Sequence, residues 1–281
     1  MSEPRAAEPV MIHDTAVTSR FIIVMDLPMV FQIERMLQGN EFMHFEKNRE
    51  SRFGILPKDS QDGSDIAWFR SPSCFVFHTA NAWEEGDEVV LVACRSKISS
   101  SAGIVSDEDV RELSKDLEDS YARLHMWRFN MRTGEVIERQ LANGIPCEFP
   151  VVSPAVVGRK TRQLYLSMAA PKTSIVESEG FYGVMKYNVD EDTYNILSYG
   201  LDFACGEVCF IDRNKPNEPG YREDLAFLGV FLTDKKALAS FFSIIDAQEM
   251  KEIARVEIPA RVPMGFHGKY FDEGTIAQQK I

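Results

Sequence analysis

The 281-residue chain holds five histidines, His13, His44, His78, His125 and His267, and they carry most of the chemistry its sequence offers. Neutral imidazole nitrogens ligate divalent metals. On a β scaffold such a site is often assembled from ligands far apart in sequence that meet at strand ends. His13 in MIHDTAVT, His78 in FVFHTANAW and His267 in MGFHGKYF fit that pattern, since each adjoins a strand-like run and two lie beside small residues. His125 shares an alternating face with Trp127 and Phe129 and reads as a packed strand position. His44, in GNEFMHFEKNRE, reads as an exposed loop residue. Pattern alone leaves two readings open for the other three, metal ligand or packed side chain.

Other chemistries find no signature. The chain has no G-x-S-x-G elbow, no H-E-x-x-H and no G-x-G-x-x-G, and VVGRKT lacks the upstream glycine of a phosphate loop. Five cysteines, Cys74, Cys94, Cys147, Cys205 and Cys209, include no C-x-x-C pair, so no disulfide framework is expected and a reducing compartment is. Cys205 and Cys209 have no second pair nearby to complete a zinc site. With 43 acidic against 31 basic residues the net charge is -12, which argues against a nucleic-acid partner.

The elements that must position the histidines read as strands. Runs such as RFIIVMD, DIAWF, CFVFHTA, EVVLVACR, HMWRFNM, EVIERQL, QLYLSMAA, FYGVMKYN, FFSIID and ARVEIP are short, rich in β-branched and aromatic residues and separated by turn signals. They predict an all-β sandwich, barrel or propeller, treated as one domain over residues 1–281, with residues 1–10 disordered. Residues 106–124, SDEDVRELSKDLEDSYARL, place Val110, Leu113, Leu117 and Leu124 near helical spacing and predict a helical excursion. RFGILPKDSQDGSD and RNKPNEPGYRED read as long loops. A 44% hydrophobic content suffices for a sizeable core. FIIVMDLPMVF, broken by Asp26 and Pro28, falls short of the ~20 residues of a spanning helix. The opening MSEPRAAEPV reads neither as a secretory signal nor as a transit peptide.

Several longer stretches, IHDTAVTSRFIIVMDLPMVF, SRFGILPKDSQDGSDIAWF, CFVFHTANAWEEGDEVVLVACR, RFNMRTGE, VGRKTRQLY and RVPMGFHGKYF, stand in one order and register. In them the chain resembles the carotenoid cleavage oxygenases, most closely the plant carotenoid cleavage dioxygenases, over roughly the C-terminal half of a family member. The resemblance implies a β-propeller, seven-bladed in the family, with a short helical insertion. It implies an Fe(2+) cofactor held by four histidines, of which His13, His78 and His267 are the counterparts present here. NAWEEGDE would be the turn between two strands of one blade. Glu148 in CEFPVV and Glu207 in CGEVCF stand where glutamates are expected to accept a hydrogen bond from ligating imidazoles.

What the resemblance implies for function is an Fe(II)-dependent dioxygenase. It would cleave a conjugated C=C bond of a carotenoid or apocarotenoid with O2 to give carbonyl products. Two alternatives stand beside it: a truncated, non-catalytic propeller fragment lacking the first histidine ligand, and cleavage of a stilbene-type double bond. The partners expected are the lipophilic substrate and O2, with peripheral membrane contact, and the compartment is the plastid stroma, with the cytoplasm as alternative.

Overall fold

The computed structural model describes residues 9–39, 42–97, 121–169, 180–213, 220–263 and 265–278. They form an all-β protein of mostly antiparallel sheets, as predicted, and divide into two compact units. The first unit runs through Glu148 and takes back residues 157–160, while the second holds residues 149–156, 161–168 and the chain from 180. Of the N-terminal stretch expected to be disordered, residues 1–8 lie outside the described residues, and Val10 makes an isolated bridge to Val30.

In the first unit the strands are β1 (Ala16–Val17), β2 (Phe21–Asp26), β3 (Met29–Phe31), β4 (Met43–Phe45), β5 (Ser51–Pro57), β6 (Ala67–Ser71), β7 (Phe75–Glu85), β8 (Glu88–Ser96), β9 (Arg123–Asn130) and β10 (Val136–Gln140), with helix α1 (Ile33–Leu37) between β3 and β4. They pair as β1-β2-β5-β6, β3-β4 and β10-β9-β8-β7. Strand β8 carries the apolar run EVVLVACR and is buried along nearly its whole length, as expected of a strand covered on both faces. The core joins the two four-stranded sheets through aromatic contacts. Phe53 lies 5.1 Å from Trp127 and 5.3 Å from Phe129, and Phe69 lies 5.1 Å from Phe129. Such ring pairs add about 0.5–1.5 kcal/mol each beyond the area they bury.

Three expectations are corrected here, and a fourth falls mostly outside the described residues. Ser51–Pro57, read as part of a long loop, is an inner strand of its sheet. Its Gly54 is required by close approach, because a Cβ there would sit 2.5 Å from Ile66 Cδ1 and 3.0 Å from the Trp68 ring. NAWEEGDE is not a turn as a whole. Asn81–Glu85 belong to β7, Glu85 pairs with Glu88, and only Gly86 and Asp87 turn, with Gly86 at φ 60°. His44 is a half-buried residue of β4, paired with Val30. Of the predicted helical excursion, residues 106–120 lie outside the described residues, and Arg123 and Leu124 at its end are the start of β9.

The second unit is built on one sheet. Its strands are β11 (Cys147–Val151, from Phe149 onward), β12 (Gln163–Ala169), β13 (Phe181–Asn188), β14 (Thr193–Ser198), β15 (Phe203–Asp212), β16 (Ala226–Asp234), β17 (Ser240–Asp246) and β18 (Lys251–Ile258). The order is β11-β12-β13-β15-β16-β17-β18, with β14 also paired to β13, and helix α2 (Glu273–Gln278) follows. Tyr165, Val184, Cys205, Val208, Leu228, Val230, Leu232 and Ile245 form its core. All five cysteines are free thiols.

Candidate metal centre

Within the first unit the candidate site starts at β7. This strand is the outer member of its sheet, and its pairing with β8 slips twice, between Val76 and Thr79 and again between Thr79 and Asn81. A slip of this kind is a β-bulge, which bends the strand and re-aims a side chain. His78 sits inside the first one. Its Nδ1 lies 2.7 Å from Glu148 Oε2, with both side chains mostly buried. A carboxylate oxygen accepts, so Nδ1 is the donor in this pair and Nε2 is the nitrogen left for a metal. That is the tautomer a metal takes from an imidazole ligand with an outer carboxylate.

His13 lies on the irregular segment before β1, with its ring edge-on to Phe77 at 5.2 Å and to His78 at 5.2 Å. The two histidines bring ring nitrogens within 4.8 Å of one another. Asp14, beside His13, accepts hydrogen bonds from the Thr79 N–H and Oγ1–H, both at 2.7 Å. Behind His78, burial first, then the hydrogen bond with Cys147 and the nearby Glu148 charge, push the Cys94 thiol well above its usual range. Cys94 therefore stays a neutral thiol.

In the second unit His267 lies on the irregular stretch after β18. Its Nδ1 is 3.2 Å from Glu207 Oε1, while the Gly268 N–H donates to Glu207 Oε2 at 2.8 Å. The edge of Phe149 faces the His267 ring at 5.6 Å. Glu207 also occupies a bulge, where the pairing of β15 with β16 shifts between Cys205 and Val208. Phe149 holds φ at 52°, a left-handed conformation unusual for an aromatic residue, directly after Glu148. Each glutamate thus holds Nδ1 of one histidine, and in each unit one member of the pair sits in a bulge.

His125 is different in kind. It is buried in β9 against Trp127, at 4.6 Å, and its Nε2 is 3.5 Å from Glu138 Oε2, long for a hydrogen bond. Burial lowers its pKa, so it is a neutral core side chain. The residues that sequence reasoning passed over are Asp14 and Thr79. The available signal was a polar residue directly following two of the three candidate ligands, His13 and His78, in HD and HT.

A sequence model of the family described as "Retinal pigment epithelial membrane protein" matches residues 2–272. Among curated relatives, the carotenoid 9,10(9',10')-cleavage dioxygenase 1 of Phaseolus vulgaris is 35% identical, with 97% of this chain aligned to 51% of the relative. The chloroplastic 9-cis-epoxycarotenoid dioxygenase NCED6 of Arabidopsis thaliana is 34% identical, with 97% of this chain aligned to 44% of the relative. The chain thus spans about half the length of the curated relatives it matches. The structure of cobalt-substituted Synechocystis ACO superposes with a TM-score of 0.77 at 24% identity, covering 92% of this chain and 52% of that one. Pseudomonas brassicacearum lignostilbene dioxygenase gives a TM-score of 0.80 at 23% identity, over 94% and 55%. At those identities the likeness shows a shared fold.

Proposed function

Because the chain belongs to the retinal pigment epithelial membrane protein family, that of the carotenoid oxygenases, we propose that it serves as an iron(II)-dependent dioxygenase. The substrate is a carotenoid or apocarotenoid, whose conjugated C=C bond is split with O2 so that each carbon leaves as a carbonyl. The observation that carries this reading is the repeated imidazole–glutamate pair, His78 with Glu148 at 2.7 Å and His267 with Glu207 at 3.2 Å. Paired this way through Nδ1, both histidines leave Nε2 for a metal, and imidazole nitrogen suits iron(II). His13, His78 and His267 are the proposed ligands. When bound, iron(II) supplies the activation of dioxygen that no side chain can provide. Glu148 and Glu207 accept from Nδ1, and Phe77 and Phe149 pack in T-shaped contact with His13 and His267.

The family's seven-bladed propeller belongs to the same reading. It is supported by the two four-stranded antiparallel sheets of the first unit, the strand number of a propeller blade. The plastid is the proposed compartment, in keeping with the chloroplastic relatives. Contact with a membrane surface follows from the lipophilicity of the substrate. Among the described residues no helix is long and apolar enough to cross a membrane.

The test is to load the purified chain with Fe(II), measure bound iron, and assay O2-dependent aldehyde formation from an apocarotenal and from a hydroxystilbene. Stoichiometric iron with apocarotenal turnover that disappears in His78→Ala is the expected result. Absence of iron uptake would favour the non-catalytic alternative, and turnover of the stilbene alone would reassign the substrate.

A further inference from the structure

The first unit contains a contact that orients the two histidines, one that neither the family resemblance nor the imidazole–glutamate pairs account for. We propose that Asp14 is a positioning residue that sets the separation and angle of His13 and His78, an inference that rests on the metal-binding reading of those histidines. His13 belongs to no strand, so its backbone is not held by a ladder. His78 lies in a bulge of an outer strand, where the pairing with β8 slips on either side of Thr79. Local pairing therefore fixes neither ligand to the few tenths of an ångström that a coordination sphere needs.

Asp14 supplies a constraint that joins the two segments across 65 positions of sequence. Its Oδ2 accepts from both the N–H and the hydroxyl of Thr79 at 2.7 Å, and its Oδ1 accepts from the Thr15 N–H at 2.7 Å. One carboxylate thus ties the residue after His13 to the residue after His78 and closes the turn at its own base. Two hydrogen bonds to one carboxylate oxygen define a direction as well as a distance, and charge assistance makes them strong. The His13 ring, edge-on to both Phe77 and His78, is the outcome of that registration.

The experiment measures iron(II) affinity by anaerobic chelator competition, with melting temperature followed by circular dichroism. The proteins are the wild-type chain, Asp14→Ala, Asp14→Asn, Thr79→Val and His78→Ala. Asp14→Ala is expected to weaken iron binding about 10-fold, the lower end of the cost of losing an outer-sphere partner, because Asp14 acts through Thr79 and not on an imidazole directly. Asp14→Asn keeps an oxygen able to accept both Thr79 bonds and is expected to recover most of that loss. Thr79→Val, which removes only the hydroxyl donor, is expected to fall between them. Wild-type affinity in Asp14→Ala, beside a His78→Ala variant that no longer binds, overturns the positioning role and leaves the metal reading intact. Undiminished binding in His78→Ala overturns the metal reading itself, and the clamp with it. Where Asp14→Ala does not fold, Thr79→Val decides, and unchanged affinity there overturns the inference.

Discussion

The two imidazole–glutamate pairs have the same chemistry and unlike supports. His78 and Glu148 are 17% and 16% exposed, and His78 lies within a strand whose neighbours reach the aromatic core of the first unit. His267 is 54% exposed on a stretch without regular structure, although its partner Glu207 is only 17% exposed and sits in a sheet bulge. In the first unit the strand carries the histidine, whereas in the second it carries the glutamate and the histidine is held from outside. A hydrogen bond gains strength as water is excluded, so the buried pair should hold its geometry with less help. The exposed one depends on the second bond that Glu207 accepts from the Gly268 N–H, 2.8 Å long.

The largest expected effect strikes the support of the buried pair. Phe53 is fully buried and touches both Trp127 and Phe129. Phe53→Ala is expected to destabilise the chain by about 3–5 kcal/mol in urea unfolding, the usual cost of a large aromatic deletion in a core. A loss below ~1 kcal/mol would mean that this core does not carry the strands around His78. Next comes the buried pair itself. Glu148→Ala should weaken iron binding about 10–100-fold in the same chelator competition, because the Nδ1 donor of His78 loses its acceptor where little water can replace it. Glu207→Ala should cost less, near the ~10-fold end of that range, since water can reach the exposed His267. Equal losses in the two variants would erase the distinction between the units.

How much of this was legible in the sequence follows from which forces act locally. The apolar runs of β2, β7, β8, β9 and β13 were visible because β-branched and aromatic residues there fill a pleated, buried surface. Strands β5 and β16 carry Gly54 and Gly229 in their interiors, and glycine reads as a breaker when only neighbours in sequence are considered. Both are needed for contacts from elsewhere in the sheet: a Cβ on Gly229 would lie 2.5 Å from the Phe242 ring and 2.8 Å from Cys209 Sγ. The acidic end of β7 looked like a turn because its partners lie far away in sequence. Glu84 is met by Arg20 and Thr18, and Glu85 by Arg128 and Lys160. Asp14 was passed over for the same reason, as its partner Thr79 is 65 positions away.

That acidic end offers the mildest prediction, and it separates the strand that holds His78 from the exposed stretch that holds His267. Burial by itself would raise the Glu85 pKa, but hydrogen bonds from Lys160 and Arg128 outweigh it and bring the group from its ordinary 4.5 down to about 2. A carboxylate with a depressed folded pKa binds fewer protons folded than unfolded. It therefore stabilises the fold above the unfolded value, and that contribution disappears as pH falls from about 4.5 toward about 2. Glu85 is 30% exposed, so solvent screening trims the effect and salt should reduce it further. Glu85→Gln should melt a few degrees below the wild-type chain at pH 7, with the gap closing through that acid window. A gap that stays constant down to pH 2 would assign the loss to shape and hydrogen bonding, and the end of β7 would then owe its order to pairing with β8 alone.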